Sequence, residues 1–316
     1  MQLYGIDFTS APTRRKSITV AAGRLDESGQ LAVTGLQRLA SFAAFEDWLR
    51  SPGPWLAGCD FPFGLPRELL VALDWPHRQG WASMINHLAS FSRPAMVEQF
   101  RRFCASRPVG GKFAHRATDF PAGSSPSMKW VNPPVAFMLH AGAPRLLAAG
   151  VHLPGLHDGD RNRVALEAYP GLLARSIVGR TSYKSDDRAK QNRERELARA
   201  SILATLGVGA CHLAAVHGER LPAVTCRFDA GVEAQCLGDP SGDYLDAVLC
   251  LAMAAWAWQR RAENYGLPVQ VDCVEGWIVS AGGVSASSGQ TKSVPVTSVP
   301  AIGVPAKDTS ARSARS

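Results

Sequence analysis

The sequence predicts an α/β fold on a mixed sheet, three antiparallel strands and then parallel ones, with a large, mainly helical insertion. Three observations predict it. The N-terminal part holds three β-type runs separated by turn residues, and an amphipathic helix and a buried apolar run follow them. After a long irregular stretch, short strand-like runs and longer helical ones alternate again, the pattern of parallel α/β units.

LYGIDFT, around Asp7, is a short apolar run with a central acid. KSITVAAGRL is rich in small and β-branched residues, DESGQ is a turn cluster, and QLAVTGLQRL makes a third strand, so the three form an antiparallel meander. In SFAAFEDWLR, Phe42, Phe45, Trp48 and Leu49 recur at helical spacing, with Ser41 as cap and Pro52-Gly53 as stop. WLAGC then forms a buried strand parallel to the first, ending at Asp60, where Pro62 and Pro66 turn the chain out of the sheet.

From 67 to 160 the chain is rich in Pro, Gly, His and Arg, with helical stretches near 92–105 and 134–149. This reads as an insertion over one edge or mouth of the sheet. Next, RVALEAYPG is a strand closed by Pro170-Gly171, and SDDRAKQNRERELARASILATLG a helix with an apolar face through Leu197, Ile202, Leu203 and Leu206. A last large helix starts near Ser241 and carries Leu245, Leu249, Ala252, Met253 and Trp256 as far as Gly266, and CVEGWIVS is a final extended piece. The composition then turns to Ser, Val, Pro and Gly without period. One domain is therefore expected over 1–280 and a disordered tail over 281–316.

Charge constrains the partners only weakly. The formal charge is +7 over 316 residues, but Lys292, Lys307, Arg312 and Arg315 against Asp308 give three of those charges to the C-terminal stretch. The mildly basic body permits a phosphate-bearing substrate without requiring one. Seven cysteines, odd in number, without a CxxC pair and mostly inside apolar runs, read as core residues of a reducing compartment. With no secretory leader in MQLYGIDF and no apolar run of membrane-spanning length, a soluble cytoplasmic protein is expected.

The chemistry lies in acids at the ends of core elements: Asp7, Asp60, Glu167, and Asp246 with Asp243. An acid in or beside an apolar strand gives up solvation and needs compensation, which a bound divalent metal supplies. Three antiparallel strands, a helix, a parallel strand and further α/β units describe a ribonuclease H-like core. There Asp60 and Glu167 would lie beyond the carboxyl ends of strands, where open sheets bind ligands. Asp243 and Asp246, three apart, share one side of a helix start. Magnesium or manganese takes such oxygen ligands, and two ions together can activate a water and stabilise the leaving oxygen of a phosphodiester. The plainer alternatives are a turn-forming Asp60, a solvated Glu167 and an Asp243 that complements the helix dipole.

YGIDFTSA, GCDFPFGLP, FAHRATD, NPPVAFM, LEAYPG, SYKSDD, GDYLDAVLCLAMAA and VEGWI follow one another from about residue 3 to 280. In this ordered set the chain resembles the family called domain of unknown function 429, predicted ribonuclease H-like nucleases. The resemblance implies a metal-dependent nuclease whose acids fall on Asp7, Asp60, Glu167 and Asp246, with Asp243 as a further ligand. It also implies Lys184 as a basic residue near the site and Arg116 and Asp119 along the substrate channel. Ala281 stands where the pattern leads to a proline.

Two other classes compete. The same scaffold carries ATP-dependent phosphotransferases of the actin and sugar-kinase type, but Phe8 and Pro12 occupy the stretch where a phosphate loop needs glycines. A non-catalytic nucleic-acid-binding module is the other. The basic RAKQNRERELAR stretch and Trp75, Trp81 and Trp130 would be its contacts, unless they are a solvated helix face and local core. HLPGLHDGD is rich in ligand-type residues but matches no zinc spacing.

Overall fold

The structure is a computed structural model that describes residues 1–282 except His77, Cys211, 215–219 and Ala223. The meander forms as expected, with β1 (Gln2–Asp7), β2 (Ile18–Leu25) and β3 (Leu31–Leu39) pairing antiparallel in succession. Helix α1 (Phe42–Leu49) starts at Ser41, whose hydroxyl accepts from the Ala44 N–H at 3.2 Å. Strand β4 (Trp55–Asp60) then pairs parallel to β1, opposing Asp7 with Asp60.

The insertion is more ordered than its composition suggests. It contributes α2 (Arg67–Ala72), α3 (Trp81–Ala89), α4 (Arg93–Ala105), the short α5 (Asp119–Ala122), α6 (Val135–Ala149) and β5 (Val151–His152). Both expected helices are present, and α2, α3 and the short α5 are additions. Instead of sitting over an edge or mouth, the insertion covers a sheet face. Leu69, Trp81, Ile85, Phe100, Leu139 and Leu146 share one core with Ile6, Val20, Ala57, Cys59 and Ala165 of the sheet. A sheet with parallel central strands needs both faces covered, and α1 alone is too short to do it. Trp75 and Trp81 belong to this core, at 4% and 1% exposure.

Strand β6 (Asp160–Glu167) pairs parallel to β4, and the Pro170-Gly171 expected to close it instead opens α7 (Pro170–Val178), with Pro170 in the favoured first position. Helix α8 (Arg193–Val208) begins later than SDDRAK suggests, because Asn192 caps it by accepting from the Arg195 N–H at 3.0 Å. Leu197 is exposed rather than on the apolar face; Ala198 and Arg199 are buried in its stead. The guanidinium of Arg199 donates to the Tyr183 and Leu237 carbonyls at 2.9 and 3.1 Å, so part of the basic stretch is structural. Then β7 (His212–Ala214) and β8 (Arg220–Pro222) pair with each other, β9 (Cys226–Phe228) joins the edge at β3, and α9 (Ala230–Gly238) leads to α10 (Asp243–Gln259). The main sheet order is β5-β6-β4-β1-β2-β3-β9.

Helix α10 is buried on almost every side, from Leu245 to Ala257. It rests on the face opposite the insertion, against Leu3, Ala21, Leu56, Val164 and Leu166. Two glycines let it touch the sheet backbone: a Cβ on Gly5 would lie 2.0 Å from the Ala247 carbonyl oxygen, and one on Gly58 2.6 Å from that of Cys250. The helix ends at Gln259, short of the expected Gly266, and a 3-10 turn follows. The extended piece after it bridges the sheet end, where the Val279 N–H donates to the Glu167 carbonyl at 2.8 Å. Of the predicted tail, only Ala281 and Gly282 fall among the described residues, and Ala281 is buried. No described helix is long and apolar enough to cross a membrane.

Candidate metal centre

Asp7 and Asp60 are the last residues of two adjacent parallel strands in matched register, so their side chains leave the same sheet face, the one under α10. The first turn of α10 brings Asp246 over them. One carboxylate oxygen from each of Asp7, Asp60 and Asp246 lies within 4.8 Å of the others, and among the described residues these three are the acids so grouped. Gly242, at φ +76°, begins the helix, and the Asp239 carboxylate accepts from the Ser241 and Tyr244 N–H groups at 3.1 and 3.0 Å.

Two neighbours hold Asp246, itself fully buried. The Tyr183 hydroxyl donates to its Oδ1 at 2.6 Å, and the Lys184 ammonium donates to its Oδ2. The lysine comes this close because Gly242 lacks a side chain: a Cβ there would meet the Lys184 Cβ at 2.8 Å. Lys184 was legible in the SYK motif; nothing marked Tyr183 beside it.

The electrostatics are those of crowded acids. Burial, then Asp246 and Asp243, push the Asp7 carboxyl well above its usual range, with Lys184 opposing. Burial and Asp246 push Asp60 up to about 7, again against Lys184. Asp246 and nearby Asp7 in turn hold the Lys184 ammonium firmly charged, overcoming the opposing effect of burial. Asp60 binds its proton more tightly in the folded chain than in the unfolded one, so its effect on stability declines as pH rises from about 4 through about 7. Asp60→Asn should thus melt close to the parent near pH 4. By about pH 8, without divalent ions, it should be more stable by roughly 1–3 kcal/mol. Melting curves across that range check this; a gap that does not widen with pH refutes it.

The remaining predicted acids are not in this group. Asp243 is 3% exposed and pairs with Lys16 at 2.7 Å and Arg38 at 3.7 Å. Glu167 stands opposite Cys59 in the β4–β6 register, one residue out of phase with Asp60, and so leaves the other sheet face. There Arg116 takes it: Nη1 and Nη2 each donate to one Glu167 oxygen at 2.7 Å, and the Phe63 N–H adds a bond of 3.0 Å. Arg116 also donates to Asp119 through Nε and Nη2 at 3.2 and 2.9 Å, and to the Glu275 carbonyl at 3.0 Å. All five guanidinium donors are thereby used. Arg116 and Asp119, each 1% exposed, are accordingly a buried clamp from the insertion onto β6, not free substrate contacts. Removing the arginine strands two buried acids, so Arg116→Met is expected to cost about 3–5 kcal/mol. Adding Glu167→Gln should recover part of that in denaturant titrations, and no recovery would mean that the two do not act as a pair.

In HLPGLHDGD, His152 lies 3.3 Å from Asp158, His157 packs on Trp81, and Asp160 pairs with Arg163 at 2.7 Å, without a ligand cluster among the described residues. A family model described as "Protein of unknown function (DUF429)" matches residues 5–269. No curated protein and no solved structure matches the chain.

Proposed function

The chain belongs to the DUF429 family, whose description assigns no activity, and from its site we propose that it is a metal-dependent hydrolase of phosphodiester bonds in nucleic acid, on a ribonuclease H-like scaffold. The scaffold reading is supported by the meander β1–β2–β3 with β4 and then β6 added in parallel beyond β1. The observation that carries the activity is the meeting of Asp7, Asp60 and Asp246 at the carboxyl ends of β1 and β4.

The donor set fits a hard divalent cation. Three carboxylates are faced by one lysine, and burial with mutual repulsion raises both Asp7 and Asp60, the imbalance a divalent ion relieves. All donors are oxygens, which suits Mg2+ or Mn2+. When bound, such an ion supplies charge neutralisation at a phosphate and a water activated for attack. The chain supplies the rest. Adjacent strands fix Asp7 and Asp60 relative to each other, the Tyr183 hydroxyl orients Asp246, and Lys184, its side chain 42% exposed, offers a positive charge to a phosphate at the rim. The triad makes one ion seat. Asp243 and Glu167 would enlarge it to two only by giving up Lys16 and Arg116, respectively.

The test pairs Mn2+ calorimetry with cleavage of labelled DNA and RNA. One ion per chain is expected near pH 8, with affinity at least tenfold weaker near pH 5, because protons must first leave Asp7 and Asp60. Cleavage should stop in EDTA. Failure to bind Mn2+ near pH 8 would remove the proposal.

A further inference from the structure

Two cavities meet at Asp60 and Tyr169, and their linings differ in kind. One, of about 180 Å³, is walled by Phe61, Pro62, Val135, Met138 and Ile278, with Ser125, Arg116 and Glu167 also in its lining. The other, of about 400 Å³, is bordered by Arg175, Arg180 and Lys184. Tyr169 lies in the wall of both, and it is held: its hydroxyl accepts from Arg175 Nη1 at 3.1 Å, and that guanidinium sits 5.1 Å from the ring centroid. Arg180 is exposed and has no ion pair or hydrogen bond among the described residues.

The smaller cavity lies well below the ~300–1,000 Å³ of pockets for drug-sized ligands, a size for a single flat heterocycle. Its mainly apolar wall, with the rings of Phe61 and Tyr169 and one thioether beside the paired Arg116 and Glu167, is the kind of surface on which a base stacks. The basic cavity on the other side of Asp60 is the kind that follows a phosphate backbone. Resting on the hydrolase reading above, we propose that the substrate is an unpaired nucleic-acid strand. One base is seated between Tyr169 and Met138, and the adjoining phosphates run past the triad toward Lys184 and Arg180. A base inside a duplex is stacked on both faces and enters such a seat only by leaving the helix. Tyr169 and Met138 therefore set the preference for single strands, and Arg180 adds affinity for the backbone that does not depend on the base.

The test measures binding of the full chain in EDTA, where cleavage plays no part, by fluorescence anisotropy of a labelled oligothymidine. The expected order is oligothymidine tighter by about tenfold than an all-abasic strand of equal charge, and tighter than a duplex of the same length. Met138→Trp, which fills the cavity, should abolish the advantage over the abasic strand, whereas Arg180→Glu should weaken both strands alike. Should either variant fail to fold, the parent chain suffices: a 5-iodouracil-substituted strand should photocrosslink to Tyr169 or to the residues around Met138. Equal affinity for normal and abasic strands, crosslinks confined to other surfaces, or thymidine monophosphate binding as tightly as the strand would each overturn the proposal. Base-dependent binding without Mn2+-dependent cleavage would sustain the seat and remove the hydrolase. Cleavage without base preference would do the reverse.

Discussion

Asp60→Asn and Asp7→Asn are each expected to lower divalent-ion-dependent phosphodiester cleavage by about a thousandfold or more, the rate equivalent of the several kcal/mol that a well-held metal contributes. Asn preserves the shape of the side chain, so the fold should persist; what disappears is one of three carboxylates gathered within 4.8 Å, and with it a charge that an ion would draw out. Both variants should therefore bind Mn2+ far more weakly. Asp243→Asn gives the contrast. Its carboxylate is engaged by Lys16 and Arg38 outside the triad, and most of the activity should survive. Side-by-side cleavage rates and Mn2+ titrations decide the matter, and full activity in either triad variant would sink the assignment.

Gly5→Ala is expected to cost about 3–5 kcal/mol and lower the melting temperature by roughly 10 °C. The added Cβ would lie 2.0 Å from the Ala247 carbonyl oxygen and 2.1 Å from the Leu251 nitrogen, both backbone atoms of α10 that no rotamer change can move. The helix must lift, and with it goes Asp246, away from Asp7 and Asp60. Any of this variant that folds should have lost Mn2+ affinity as well as stability. Gly35→Ala, where a Cβ meets nothing within 4 Å, is the matched control in a strand of the same sheet and should be tolerated. Comparable melting temperatures for the two variants would mean that the contact between α10 and β1 is not close.

Much of this was readable along the chain because it is local. The meander, α1 with its Ser41 cap, β4 and the two long insertion helices follow from turn residues and apolar spacing over short windows. Short α3 and α7 were less legible: the first hides in Pro- and Gly-rich sequence, and the second opens with the Pro-Gly pair that also ends strands. Leu197 misled because three-and-four spacing defines a stripe without saying where its edge meets solvent.

By itself the sequence determined which acids sit at the ends of which elements, and that is enough to nominate Asp7, Asp60 and Asp246. Only the tertiary structure decided that Glu167 is excluded. Its strand pairs one residue out of phase with Asp60, and in a two-residue repeat that single step sends a side chain to the opposite face of the sheet, onto Arg116. The same holds for Asp243, whose partners Lys16 and Arg38 lie more than two hundred positions away in the chain. Register and long-range ion pairing arise between segments rather than within them, so no local window records which acids an arginine or lysine draws away and which meet in the triad.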